Sequence, residues 1–122
     1  MATTLPLYQV DSEMQSCIEN CMDCASVCTN TLTTYCLKVG GHHAGMSHVQ
    51  LMMDCATICQ TCTNFMLRGS GFHSRICGLC AEICDRCAAD CEKFSDDSQM
   101  LACAAACRRC AESCRSMAMA MA

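Results

Sequence analysis

The chain is short of the residues that ordinarily build a core. It has eight leucines, four isoleucines, four valines and three phenylalanines in 122 residues. Much of its 52% hydrophobic content is cysteine, methionine and alanine instead. No apolar run approaches the roughly 20 residues that span a bilayer, so no membrane segment is expected. The eight Lys and Arg are scattered and are outnumbered by twelve Asp and Glu, for a formal charge of -4. A nucleic-acid surface needs a clustered basic footprint, so none is expected. The start, Met1-Ala2-Thr3-Thr4-Leu5-Pro6, has no basic n-region followed by an apolar stretch. Without those two parts of an export signal, the expected location is the cytoplasm. There is no nucleophile–base pair at a distinctive spacing, no phosphate loop and no dinucleotide fingerprint, so an enzyme is not expected.

Cysteine is what the chain has in excess, with 17 residues. In a secreted miniprotein such a count would mean a disulfide framework. Here the number is odd, no export signal is visible and the spacing is helical. Reduced cysteine can pack as a small hydrophobe, but packing alone does not require so many. The core is expected to be chemical as well as structural.

The cysteines fall in four segments. The first holds Cys17, Cys21, Cys24 and Cys28, then Cys36; the second holds Cys55, Cys59 and Cys62. The third holds Cys77, Cys80, Cys84, Cys87 and Cys91, and the fourth Cys103, Cys107, Cys110 and Cys114. Steps alternate between three and four, the period of a helix facing other helices. The one exception is the step of eight from Cys28 to Cys36, where Leu32 interrupts the stripe. A leucine plug is expected there. Ser12 with Gln15, and Ser47 with Gln50, have capping-box spacing. Gly40-Gly41 and Gly69-Ser70-Gly71 end the first two helices, and Ser95-Asp96-Asp97-Ser98 offers turn and cap residues before the fourth. The only proline, Pro6, precedes all of them. The expected fold is all-α: one domain over 1–122, an antiparallel up-down-up-down four-helix bundle with a cysteine-lined core. Its helices are expected at about 12–39, 48–68, 72–94 and 98–118.

The spacing has a chemical meaning. Residues three or four apart on a helix have Cβ atoms about 5–6 Å apart. A zinc–thiolate bond is about 2.3 Å; at that length for copper, two sulfurs across a linear ion are about 4.6 Å apart. Pairs on one helix reach that span with small rotamer changes. They make poor disulfides, which need Cβ atoms about 3.8 Å apart. Thiolates select soft ions: Cu(I), zinc or iron–sulfur clusters. Four thiolates on zinc leave a net charge of about -2 per site, and stacking such sites in a low-dielectric bundle is expensive. One Cu(I) per thiolate neutralises the array, so multiple Cu(I) ions are expected, on the order of one per cysteine. Zinc storage by the same thiolates is the alternative. An iron–sulfur electron carrier is the other, but the bacterial C-x2-C-x2-C-x3-C-P run is absent. Cys-x-Cys pairs, dense in metallothionein-like chains, are absent too.

These phased C-x-x-x-C and C-x-x-C arrays, from Cys17 to Cys114, resemble the bacterial four-helix-bundle copper storage proteins. The resemblance implies a cytosolic type, given the missing signal. It further implies a homotetramer of bundles, Cu(I) thiolate sites filling each bundle, and storage rather than catalysis. The family's sulfur ligands carry over to all the cysteines named above. The residues name no copper chaperone or effluxer as a partner.

The stripes continue beyond the cysteines. His48 and Met52 lead the second, His73 precedes Cys77 by four, and Met100 leads the fourth. In an antiparallel bundle the first and third loops share an end, which gathers His42, His43, Met46, His48 and Met52 near Cys36, Cys91 and Met100. His48 and Met52, on the stripe, are read as metal ligands at a copper mouth. His42 and His43 are read as solvated loop residues, and His73 is in phase at the opposite end. Met117 and Met121 continue the inward face and Met119 does not; this tail is read as core packing or a frayed end. Leu51, Ile58 and Phe65 recur every seven residues beside the stripe and are read as a subunit contact. Asp23, Asp54, Asp85 and Asp90 are read as solvated.

Overall fold

The computed structural model describes residues 5–120, with the backbone alone at residue 120. Among the described residues the structure is helical, with no strand. Helix α1 is regular over Ser12–Thr31, passes through a π-helical turn at Leu32–Cys36 and closes over Leu37–Val39. A 3-10 turn at Gly41–Ala44 leads into α2, Met46–Leu67. Helices α3, His73–Glu92, and α4, Ser98–Ala120, complete the bundle. Each helix packs on the one before and the one after, and α4 returns to α1. The register is antiparallel: Cys17 near the start of α1 meets Cys114 near the end of α4, at 3.6 Å between sulfurs. Cys28 further along α1 meets Cys103 early in α4, at 3.8 Å.

The helix starts differ from the expected capping boxes. Asp11, not Ser12, caps α1, its carboxylate accepting from the Met14 N–H at 2.9 Å. Gln15 instead turns its side chain to Glu19. A carboxylate one residue earlier satisfies the free N–H as well as a hydroxyl does, and its charge suits the positive helix end. Helix α2 starts before Ser47: Gly45 holds the cap position with no side-chain cap bond. The C-termini follow expectation. Gly40, at φ +75°, and Gly69, at φ +62°, adopt the left-handed backbone that stops α1 and α2.

The step of eight from Cys28 to Cys36 is resolved by the π turn. An α-helix advances about 100° per residue, so eight residues would leave Cys36 about 80° off the line of Cys28. A π turn closes i→i+5 bonds and so absorbs one extra residue; the Leu37 N–H bonds the Leu32 carbonyl in this way. One surplus residue takes up about 100°, which returns Cys36 to the inner face. There it is fully buried. Leu32 is buried too, as expected of a plug, but the lining resumes beyond it.

The loop end of the bundle is tied by one carboxylate. Asp97 caps α4 through the N–H groups of Gln99 (3.1 Å) and Met100 (3.2 Å). Its other oxygen accepts from the Tyr35 hydroxyl at 2.7 Å and meets His43 Nε2 at 2.8 Å. The Tyr35 bond above all holds the Asp97 carboxyl below its ordinary pKa. Such a depressed carboxyl stabilises the fold above the unfolded value of about 3.9 and loses that contribution as pH falls below it.

The π turn has a direct test. Deleting Thr33 removes the surplus residue and sets Cys36 seven residues after Cys28, about 20° from its line in an unbroken α-helix. The deletion variant is therefore expected to fold with Cys36 still protected from alkylation, measured by mass spectrometry after a native-state pulse. Rapid labelling of Cys36 in that variant, with the other thiols still protected, would contradict this account of the phase.

Candidate metal centre

The inner faces converge on a column of sulfur. All seventeen cysteines are buried at 0% exposure and all are free thiols. In the first layer Cys62 and Cys77 sulfurs are 3.3 Å apart, and Cys17 reaches Cys114 at 3.6 Å. In the next, Cys110 is 3.6 Å from both Cys21 and Cys59, and Cys59 is 3.8 Å from Cys80. In the third, Cys24 lies 3.7 Å from both Cys55 and Cys107, and Cys55 lies 3.7 Å from Cys84. Cys28 and Cys103 form the fourth, and Cys87 lies beside Cys28 and Cys91. On α2 the place after Cys55 belongs to Met52, fully buried. Layers are linked along the axis as well: Cys59 is 3.5 Å from Cys84, and Cys28 is 3.6 Å from Cys107.

Five groups of these thiols bring their sulfurs within 4.8 Å of one another, the span of a single ion's ligands. Four are quartets: Cys21, Cys80, Cys110 and Cys114; Cys24, Cys55, Cys59 and Cys84; Cys24, Cys28, Cys55 and Cys107; and Cys59, Cys80, Cys84 and Cys110. The fifth is Cys17, Cys77 and Cys114. The quartets share members, so the groups form a continuous array rather than separate cages.

Within such an array the direction of the pKa shift differs from one thiol to the next. Cys17 is pulled below the ordinary thiol value by accepting from Cys114, and Cys114 is pushed up by donating in turn, first to Cys110. Cys62 is also lowered, chiefly by Cys114. A thiolate held by S–H donors raises its neighbours, so the thiols titrate in spread steps that belong to the group and not to any one of them. Cys36 stands apart. Burial pushes its pKa up to about 11, and the nearby Cys103 adds to that.

Cys36 sits at the loop end of the column in different company. His48 Nε2 lies 3.6 Å from its sulfur, and the Met100 thioether lies 3.6 Å away on another side. His48 is almost fully buried, and its Nδ1 pairs with the Asp90 carboxylate at 2.5 Å. A carboxylate accepts only, so the Nδ1 proton points to Asp90 and Nε2 keeps its lone pair for the interior. This is the orientation that metal-ligating histidines take. An apolar-sided cleft of about 530 Å³, lined by His42, Met46, His48, Asp90 and Phe94, opens this end to solvent.

A protein-family comparison matches residues 10–119 to the copper storage protein family. The chain belongs to that family. Among solved structures, Nmul_A1745 from Nitrosospira multiformis is 47% identical, with a TM-score of 0.86, over 90% of this chain and 98% of that one. The Cu(I)-bound copper storage protein BsCsp3 is 40% identical, with a TM-score of 0.80, over 88% and 99% respectively. An uncharacterised cysteine-rich protein of Bacillus subtilis, YhjQ, is 41% identical over 65 residues, 53% of this chain. That match spans 59% of the relative's own length.

Within this family fold, the sequence-derived candidates divide clearly. The seventeen cysteines, His48 and Met52 all face the interior. His42 is exposed, as expected. His43 is not solvated: it is held by Asp97, stacks on Phe94 at 4.1 Å between centroids and meets Tyr35 edge-on. Met46 is 77% exposed on the rim. Met117 is buried and Met119 exposed, while Met121 lies outside the described residues. Asp90 corrects the solvated reading, while Asp85 stays on the outer surface, a third exposed, in ion pairs. Asp90 orients His48, and Asp85 joins Arg108 at 3.1 Å and Arg115 at 2.7 Å across α3 and α4. Asp90 has no signature in the sequence pattern. It flanks Cys91 but lies off the stripe, and only the distance to His48 reveals it.

Burial of every thiol sets a clear expectation for reactivity. A thiol-exchange reagent should titrate all 17 cysteines in denaturant and almost none quickly in the native reduced protein. Several fast-reacting thiols in the native state would contradict the inward array.

Proposed function

We propose that the protein stores Cu(I) at high capacity in the cytosol, as thiolate-bound ions filling the bundle. The single observation that supports this best is the column of seventeen buried, unbridged thiols. At a bond length of about 2.3 Å, sulfurs around a three-coordinate ion stand about 4.0 Å apart, and across a two-coordinate ion about 4.6 Å. The thiol contacts run from 3.3 Å (Cys62–Cys77) to 4.0 Å (Cys24–Cys28). Loading therefore asks the sulfurs to part by roughly 0.7 Å or less for three-coordination and by up to roughly 1.3 Å for two-coordination, within reach of side-chain rotation. All seventeen cysteines are the proposed ligands, with His48 and Met52 completing the set at the loop end.

Overlap between the groups favours Cu(I) over zinc. Cys24, Cys55, Cys59, Cys80, Cys84, Cys110 and Cys114 each belong to two groups. Closed tetrahedral zinc sites need four ligands each and carry a net charge of about -2 with four thiolates. Bridging thiolates on monovalent ions share ligands and cancel charge. BsCsp3, whose structure is Cu(I)-bound, has the same fold at 40% identity. Storage, not catalysis, is the role this supports.

Anaerobic titration of the reduced protein with Cu(I) against a competing chelator tests the reading. Uptake is expected on the order of one ion per cysteine, with about one proton released per ion. Because protons and Cu(I) compete for the same sulfurs, affinity should fall as pH falls. Saturation at one or two ions would sink the storage reading, and tighter retention of zinc in competition would change the metal.

Reduced thiols suit a reducing compartment, which supports the cytosolic location. Among the described residues no helix is long and apolar enough to cross a membrane. We also propose a homotetramer of bundles. Leu51, Ile58 and Phe65 are half-buried along α2, although its inner face is already taken by cysteine and methionine. Native mass spectrometry should give four chains. A monomer at micromolar concentration would refute the assembly without touching the storage reading.

A further inference from the structure

The end of the column opposite His48 carries a second histidine that neither the fold nor the thiol array accounts for. His73 opens α3, one turn before Cys77, and is 6% exposed. Its Nδ1 lies 2.9 Å from the Ser70 carbonyl oxygen. A carbonyl can only accept, so the ring proton sits on Nδ1 and Nε2 carries the lone pair. That Nε2 is buried and has no hydrogen-bond partner. An unsatisfied buried polar nitrogen is destabilising unless something occupies it.

The surroundings, by helical register, are soft donors. Cys62 and Cys77 touch at 3.3 Å. Met66 lies one turn outward from Cys62 on α2, as His73 does from Cys77 on α3, and is 1% exposed. Cys114 belongs to the trio with Cys17 and Cys77, and Met117, three residues further out on α4, is 5% exposed. By register, one imidazole nitrogen and two thioethers thus fall in the layer beyond the last thiols at this end. Imidazole and thioether are both ligands of Cu(I). A cleft of about 350 Å³, lined by Leu7, Val10, Met14 and Met66 among others, opens onto this end from solvent.

We propose that His73 Nε2, with the thioethers of Met66 and Met117 and the Cys77 sulfur beneath them, forms a terminal Cu(I) site at this second end. The inference rests on the storage reading, since the occupant is the same ion. The parallel with His48 is physical. In both, an oxygen acceptor fixes the Nδ1 proton and leaves Nε2 free for the interior. Binding moves no electrons; Cu(I) enters as the monovalent ion and displaces the Cys77 proton. Three neutral donors hold an ion less firmly than an all-thiolate site, so this position should fill late and exchange first.

The test is nitrogen NMR of the full-length reduced protein during anaerobic Cu(I) loading, which the diamagnetic ion permits. Four histidines give separable signals, and exposed His42 serves as the internal control. At full loading the His73 Nε2 resonance is expected to shift while its Nδ1 stays protonated and His42 stays unchanged. The His73→Leu variant should hold one ion fewer than the unmodified chain. If that variant misfolds, the nitrogen spectrum of the unmodified protein decides alone. An array that fills near one ion per cysteine while His73 Nε2 stays unshifted would overturn this site and leave storage standing. Failure of the array to fill would overturn the storage reading and this site with it.

Discussion

Charge neutrality in a dry interior is the constraint on which the rest of this bundle depends. Seventeen ionisable groups are packed where water does not reach. Such a core is tolerable in two states only: every sulfur protonated, or every thiolate matched by a positive charge. A monovalent ion exchanges for a proton without changing the sum, so the interior is equally neutral before and after loading. A divalent ion cannot do this at one ion per sulfur. The choice of Cu(I) over zinc therefore follows from electrostatics as much as from the softness of sulfur.

The same constraint explains how the fold stands without an aliphatic core. Protonated thiols pack as small hydrophobes, and small side chains let the helices approach closely. Ala81, Ala88, Ala104 and Ala111 are buried with the cysteines along α3 and α4, the most extensive helix pair. On the outer face of that pair Arg108 binds Glu92 at 2.7 Å and Asp85 at 3.1 Å. These groups are exposed, and pairs of this kind contribute little to stability. Their place on the rim keeps charge off the inner face, where a single unpaired carboxylate would disturb the neutral column.

Period-three-and-four spacing made the bundle and its lining legible, because each inward position is occupied by a residue of one chemical type. His48 and Met52 were legible for the same reason: they keep the phase. Features that do not keep phase were hidden. Cys36 looked displaced because eight residues separate it from Cys28, and a sequence period cannot announce a π turn. The true caps, Asp11 and Gly45, were masked by nearby serines with capping-box spacing that the backbone does not use. Asp90 lies off the stripe, so its bond to His48 becomes visible only once α2 and α3 are set side by side. His43 reads as solvated because it sits in a loop, whereas Asp97, Tyr35 and Phe94 pack around it.

The π turn is more than a repair of phase. An unbroken α-helix of this length would aim Tyr35, seven residues after Cys28, at the interior and turn Cys36 aside. The added residue reverses this. Cys36 points inward to His48 and Met100, while Tyr35 moves to the flank, where its hydroxyl reaches Asp97. One backbone irregularity thus places the outermost thiol of α1 beside a histidine and also frees the phenol that binds the cap of α4. The loss of regular α geometry over five residues is offset by two sets of contacts that regular geometry would forbid. Threonine hydroxyls assist: Thr33 and Thr34 bond the carbonyls of Thr29 and Asn30, at 2.8 and 2.6 Å. The turn therefore couples the mouth of the thiol column to the loop that covers it. A change at Tyr35 or Asp97 should be felt at Cys36 through the backbone, although neither side chain is itself a ligand.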